Sequence, residues 1–515
     1  MITTLTLISR ILGFFRDQRI TQLLGTSLSG DAYYLAYRIP NLLRRLVGEG
    51  SMSAAFVPVF AAYMTEKERD EIWDFANRVF WTLSFVLALV AVLGVVFSPA
   101  LVSLFTLGES NIPVDQAVYL NRLMFPYIFF VSISALAGAL LNSFKVFGLP
   151  AFTPALLNLS VIGFSFFAES FSQPAVALAL GVLVGGVLQM LVQLPVLWKL
   201  GMRFHFGISF SHPGIRRMAK LMLPGVVGIS VAQINFFVDT VFATQAFLPE
   251  GSLTSLQISD RVMELVLGGY AISVGTAILP MMSRHAAEKN IEELKRTVAF
   301  AVRIVSFITV PAMVGLILLR EPIIQVLFQH GQFNAESTRL TAWALMLYSI
   351  GLPWFAATKI LVPAFYSTQD TRTPVQIAIA VMVLNIVLNI LFIKPLLNGG
   401  PALATSLAGV LNATLLFWVF RQRHGPLGGR QIAVAMLRVG VASAGMGLIT
   451  WGLAHWVRFV DSQPFWWRAG KLGLILAVSA GVYFALAWIL RCEELSDIYG
   501  IARRKKGPPS APAIA

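Results

Sequence analysis

The segment RIPNLLRRLVGEG, residues 38–50, places Arg38, Arg44, Arg45 and Glu49 in a stretch flanked by apolar sequence. Upstream, LISRILGFFRDQRI carries Arg10, Arg16, Asp17 and Arg19, and far downstream SDRVMEL sets Arg261 three residues before Glu264. A guanidinium is planar and forked, and its parallel N–H groups match the oxygens of a phosphate or carboxylate. At 100° per residue, Arg10 and Asp17 share one helical face, with Arg16 a third of a turn away. Asp31, Arg38, Arg45 and Glu49 share a face of the next helix, although Pro40 is expected to kink it and blur the phase. Arg261 and Glu264 are neighbours on one helix surface. Arg19 and Arg38 are also read as structural charges, paired internally or reaching to headgroups. For the whole cluster that reading fails: the first two helices hold six arginines against Asp17, Asp31 and Glu49. The surplus points to a cavity for an anionic cargo bearing phosphate or carboxylate.

The elements that carry these residues are membrane spans. Hydrophobic residues make up 57% of the 515 residues and charged ones only 12%, about half the usual share of a soluble protein. The sequence predicts an all-α polytopic fold of about 14 transmembrane helices. The expected spans are 2–26, 31–62, 72–106, 115–142, 151–171, 174–199, 215–247, 252–284, 292–320, 336–366, 373–396, 400–422, 430–458 and 467–491. Arg10, Arg16 and Asp17 interrupt the first, so a cleavable signal peptide is not expected. The excess of Lys and Arg, 39 against 25 acids, lies in short loops and reflects topology, not nucleic-acid binding. Basic loops after spans six and twelve and the RRKK tail fall on one side, so both termini are expected to be cytoplasmic.

An internal repeat is also legible. AFVPVFAAY at 55–63 matches AILPMMSRH at 277–285, Pro150 matches Pro374, and VGGVLQ at 184–189 matches LAGVLN at 407–412, all at nearly one offset. Each unit holds six spans, an even number, which implies two lobes related by a pseudo-twofold axis along the membrane normal. The expected division is 1–200, an N-lobe; 201–425, a C-lobe; 426–491, two extra spans forming a groove for a lipid tail; and 492–515, a cytoplasmic tail. Gly13, Gly25, Gly268 and Gly269 mark a seam between the lobes where bending is expected.

Enzyme chemistry finds no support. Walker, GxSxG, His-Glu-x-x-His and Asp-rich metal motifs are missing from the sequence, and one cysteine, Cys492, leaves no disulfide framework. The chain is read as a transporter, not an enzyme.

LISRILGFFRDQRI, GDAYYLAYRIPNLLRRLVGEGSMSAAFVPVF and SDRVMELVLGGYAISVGTAILP resemble the MurJ (MviN) family of lipid II flippases, within the multidrug/oligosaccharidyl-lipid/polysaccharide exporter superfamily. The resemblance runs from the start to about residue 425, and more loosely through the last two spans. It implies movement of the undecaprenyl-diphosphate-linked disaccharide-pentapeptide from the cytoplasmic to the periplasmic leaflet of the bacterial inner membrane, by a monomer using alternating access. It places the family's functional arginines on Arg10, Arg16, Arg44 and Arg261, its acidic cavity residue on Asp31 with Asp17 beside Arg16, and further acids on Glu49 and Glu264. It favours Arg44 where helical phase favours Arg45. A cation site of some members, for sodium, would fall on Asp239, Asn385, Asn389 and Thr405. Asn389 stands where such members can carry Asp, which weakens the site by one charge. Interhelical hydrogen bonding by these asparagines is the competing reading. The start of the chain also departs from the family pattern, so part of the first helix is expected to be missing or the start to differ. The alternatives are a flippase for another lipid-linked oligosaccharide, or a cation-coupled drug exporter of the same superfamily. The exporter would need acids where this chain places arginines.

Overall fold

The computed structural model describes residues 2–47, 51–457, 459 and 463–497. Among them the chain is helical apart from turns and one isolated bridge, Ser110 with Gln245. Apolar runs of this length leave their backbone groups no partner but one another, and the helix satisfies them locally. In chain order the first half supplies α1 (Ile2–Leu24), α2 (Leu28–Val47), α3 (Ser51–Glu66), α4 (Arg69–Val96), α5 (Ser98–Phe105), α6 (Val114–Met124), α7 (Tyr127–Ser143), α8 (Gly148–Ser165), α9 (Pro174–Leu191) and α10 (Leu194–Leu200). The second supplies α11 (Pro213–Ala243), α12 (Ser252–Val266), α13 (Ile272–Ala287), α14 (Ile291–Leu318), α15 (Arg320–Phe328), α16 (Ala335–Ser349), α17 (Leu352–Ser367), α18 (Arg372–Leu396) and α19 (Gly399–His424). Then follow α20 (Gly429–Trp456) and α21 (Phe465–Ile489).

Prolines explain several interruptions inside expected spans. Pro99, Pro195 and Pro353 sit in the first turns of α5, α10 and α17, where their missing N–H costs nothing, and Pro126 caps α7. α2, by contrast, continues through Pro40. Gly268 and Gly269 lie in a π-helical turn, Leu267–Ala271, between α12 and α13. Such turns commonly occur at functional positions.

Nine helices or helix pairs among the described residues are long and apolar enough to cross a membrane, and α16 with α17, bent by 46°, makes a tenth. The four other expected spans fall on α1, α2–α3, α11 and α12–α13. These are the helices holding Arg16, Arg38, Asp239 and Arg261, whose charges depress the hydropathy on which such a test depends. The chain is an all-α, multi-pass membrane protein.

Packing divides it into two compact units, residues 1–257 with 328–337, and residues 258–327 with 338–515. In the first, α1 lies along α8, α2 along α6 and α11, and α3 along α7 and α11. Its core is aromatic, with Phe56, Phe60, Phe75 and Trp73 buried together. In the second, α14 packs on α17 and α20, α18 on α19, and α20 on α21. There Tyr483 donates its hydroxyl proton to the Phe307 carbonyl at 2.6 Å.

Left-handed backbone positions recur at close to the repeat offset. Gly25 pairs with Gly251 (φ 59° and 77°), Gly108 with Gly331 (88° and 61°), Lys145 with Gln369 (63° and 62°) and Gly201 with Gly425 (115° and 86°). A left-handed residue other than glycine is uncommon. Lys145 and Gln369 are unlike in chemistry and alike in angle.

Candidate anion site of the first unit

Arg16, on α1, is 9% exposed and pinned from two directions. Its Nε and Nη2 donate to Asp17 Oδ1 at 3.0 and 2.6 Å, and its Nη1 donates to Asn158 Oδ1 of α8 at 3.1 Å. Asn158 in turn donates to the Ser9 carbonyl at 2.9 Å, which fixes its amide orientation. Gly13 lies beside this contact, where a Cβ would stand 3.4 Å from Asn158 Nδ2, an ordinary van der Waals distance. Asn158 was not singled out in the sequence. The signal was present as one amide in the apolar run PALLNLSVIGFS, since a buried polar group needs a hydrogen-bonding partner.

Asp31, at the start of α2, is buried, and its Oδ1 accepts from the Thr254 N–H and hydroxyl at 2.8 and 2.7 Å. A carboxylate there satisfies a first-turn amide of α12 and complements the helix dipole. Thr254 is the repeat counterpart of Asp31. Glycines at 25 and 30 serve close approach: a Cβ on Gly30 would reach Thr254 Oγ1 at 3.0 Å, and one on Gly25 would strike the Gln332 carbonyl oxygen at 2.5 Å. Gly25 is therefore a left-handed turn residue in contact with the 328–337 segment.

Arg38 is 8% exposed. It donates to Gln257 Oε1 from Nε and Nη2, at 3.2 and 2.8 Å, and to Thr240 Oγ1 at 2.9 Å. Its guanidinium also lies over the Phe236 ring at 4.7 Å, and Arg45 lies over the same ring at 5.6 Å. Arg44 is half-buried and donates to Asn41 Oδ1 at 2.9 Å, while Arg45 and Arg10 are exposed. Arg19 is held at the end of α8 by Ser165, Gln22 and the Phe166 ring. Glu49 lies outside the described residues.

The remaining candidates divide between the units. Arg261 and Glu264, in the second, form a 3.0 Å ion pair with side chains 35% and 51% exposed. Such a half-exposed pair adds little stability. Asp239 belongs to the first unit and accepts from Asn235 at 3.2 Å. Asn385, Asn389 and Thr405 belong to the second, where Asn389 donates to Asn385 Oδ1 at 2.8 Å and Asn385 donates to Thr405 Oγ1 at 3.4 Å. Among the described residues, no group of three His, Cys, Asp or Glu side chains could hold a metal ion.

A family model described as "Lipid II flippase MurJ" matches residues 20–466. The chain is 36% identical over 509 residues to the "Probable lipid II flippase MurJ" of Vibrio cholerae, covering 96% of each. It is 34% identical over 498 residues to the "Lipid II flippase MurJ" of Burkholderia cenocepacia, covering 94% of this chain and 95% of the relative. Among solved structures, "Lipid II flippase MurJ, inward closed conformation" superposes with a TM-score of 0.79 at 28% identity, covering 95% of this chain and 98% of that one. An inward-facing multidrug transporter of the MATE family, at 16% identity and a TM-score of 0.67, shares the fold. The chain belongs to the MurJ family of lipid II flippases.

Proposed function

We propose that this protein moves lipid II, the undecaprenyl-diphosphate-linked peptidoglycan precursor, from the cytoplasmic to the periplasmic leaflet of the bacterial inner membrane. The observation that carries the reading is Arg16, a buried guanidinium on a membrane helix, held in place by Asp17 and Asn158. An ion at that depth is costly and is retained where it meets an ion pathway or an anionic cargo. Arg10, Arg44, Arg45 and Arg261 complete the diphosphate-binding set, with Asp17, Glu49 and Glu264 balancing its charge and Asp31 holding α12.

The transport is alternating access between two lobes, 1–200 and 201–425. The protein acts as a monomer with both termini in the cytoplasm, and it makes and breaks no covalent bond. α20 and α21 form the groove for the polyprenyl tail: their outer faces are apolar, with Leu437, Leu448 and Leu474 exposed, as an acyl chain requires. Asn385, Asn389 and Thr405 support helix packing better than sodium binding. Asn385 Oδ1 and Thr405 Oγ1 already accept amide protons within the set, and the three residues contain no carboxylate.

The test is growth of cells depleted of their lipid II flippase, with this chain supplied in its place. Rescue is expected from the unaltered protein, none from Arg16→Ala, and partial rescue from Arg44→Lys, since a point charge loses the bidentate fork. Failure of the unaltered, membrane-inserted protein to restore growth would overturn the reading.

A further inference from the structure

Two arginines seven residues apart on α2, about two helical turns, share one aromatic ring on α11. Arg38 and Arg45 lie 4.7 and 5.6 Å from the Phe236 centroid, both within cation–π range. Their other surroundings differ. Arg38 is buried, and three of its N–H groups are already spent on Gln257 and Thr240. Arg45 is exposed and, among the described residues, has no hydrogen-bond or ion-pair partner, so the ring is what it rests on. At the repeat offset Phe236 falls on Gly13, so the first half places no ring there.

We infer that Phe236 is a positioning residue for the diphosphate: it seats the Arg45 guanidinium face-on, with the donor edge free for phosphate oxygens. The inference rests on the function proposed above. Cation–π attraction uses the face of a guanidinium, and hydrogen bonds to an anion use its in-plane N–H groups, so the two add. An arginine loses considerable rotamer freedom when it binds, and a ring that has already confined it removes part of that loss from the binding step. Arg38, with its donors engaged, anchors the ring between α2, α11 and α12.

The experiment places phenylalanine carrying zero, one, two or three ring fluorines at position 236 of the full-length protein in nanodiscs. Affinity for undecaprenyl diphosphate is then measured for each. Fluorine drains the ring quadrupole with little change of volume, so packing is kept while the cation–π attraction fades. Affinity is expected to fall stepwise, by about two- to tenfold in total, and to stand unchanged or rise in Phe236→Trp. In an Arg45→Gln background the series should be flat. A flat series with Arg45 present would overturn the inference while leaving the function reading intact. Absence of any binding by the unaltered protein would overturn that reading and this one with it.

Discussion

The two halves of the repeat keep the same turns and exchange their charges. Lys145 and Gln369 hold the same left-handed angle at corresponding loops, yet Arg16 of α1 is matched by Asp239 of α11, and Asp31 of α2 by Thr254 of α12. Backbone geometry follows from chain length and bilayer thickness, which both halves share. Contacts also join the halves: Asp31 accepts from Thr254, and the Gln22 carbonyl accepts from Gln332 N–H at 2.9 Å. The counterpart of that second contact is the bridge between Ser110 and Gln245. Where the halves agree, they build the fold. Where they differ, they carry the charges assigned above to the proposed site.

The largest effect should come from the buried charge of the first half. Arg16→Ala removes the partner of Asp17 and leaves that carboxylate buried, which costs about 3–5 kcal/mol, in addition to the lost anion contact. Transport in proteoliposomes is expected to fall by about a hundredfold or more. Arg16→Ala with Asp17→Ala should recover folding, read as thermal stability, and recover no transport. Recovery of both would make Arg16 a structural ion and remove the contrast between the halves.

Next is Asp31 with Thr254, where the halves touch. Asp31→Ala strips an acceptor from the first turn of α12 and should cost about 1–2 kcal/mol, the upper range for a lost cap. Thr254→Val alone should cost less, since its amide still donates. The two together should cost less than their sum, because they break one interaction. Full additivity in thermal unfolding would mean that the contact carries no energy.

Much of this was legible in the sequence, for reasons particular residues show. Spans such as 373–396 and 400–422 were readable to within a residue or two of α18 and α19, because hydropathy reports solvent directly. The four spans that carry the charges, 2–26, 31–62, 215–247 and 252–284, were also read as spans, although the same charges lower their apolarity. Arg16 beside Asp17 was visible as a local pair. Asn158, Gln257 and Phe236 were not, since they act on residues distant in sequence and only tertiary packing reveals them. Gly25 was read as a bending seam, whereas its positive φ and the nearby Gln332 carbonyl give it a turn. Pro40 was expected to kink α2 and blur its phase, and the helix runs from Leu28 to Val47 with that proline inside it.

A smaller effect tests whether the charge exchange extends to a coupling ion. Asn385, Asn389 and Thr405 offer only neutral oxygens, and those of Asn385 and Thr405 already accept amide protons within the set. Replacing sodium by choline at constant membrane potential should therefore change transport by less than about twofold, as neutral oxygens alone make a weak cation site. Asn389→Asp adds the missing charge and should make transport more sodium-dependent. Strong sodium dependence in the unaltered protein would overturn the packing assignment of these asparagines.

The smallest effect lies in a loop, where the halves share a turn and differ in charge. Gln369 and Asp370 stand where the first half has Lys145 and Val146. Asp370 caps α18, its Oδ1 accepting from the N–H groups of Arg372 and Thr373 at 3.2 and 3.0 Å, and Oδ2 accepts from Arg423. Partial burial pushes its carboxyl upward, but Thr373 and Arg423 outweigh that and hold it below the usual carboxylate value. A carboxyl lowered in the folded state stabilises above its unfolded value, near pH 4, and that contribution is lost as pH falls through the folded value. Asp370→Asn should therefore melt slightly below the unaltered protein at pH 7. As the pH falls below about 4 the two curves should converge, because the native carboxyl is then being protonated too. The gap should stay small, since the Arg423 partner is half exposed and solvent screens the pair. In the first half the turn is the same and Lys199 stands at the counterpart of Arg423, so Val146→Asp should bring a small gain in melting temperature at pH 7 that is lost as the pH falls below about 4. The absence of any acid-sensitive gain would mean that this turn does not by itself place an acid to cap the following helix.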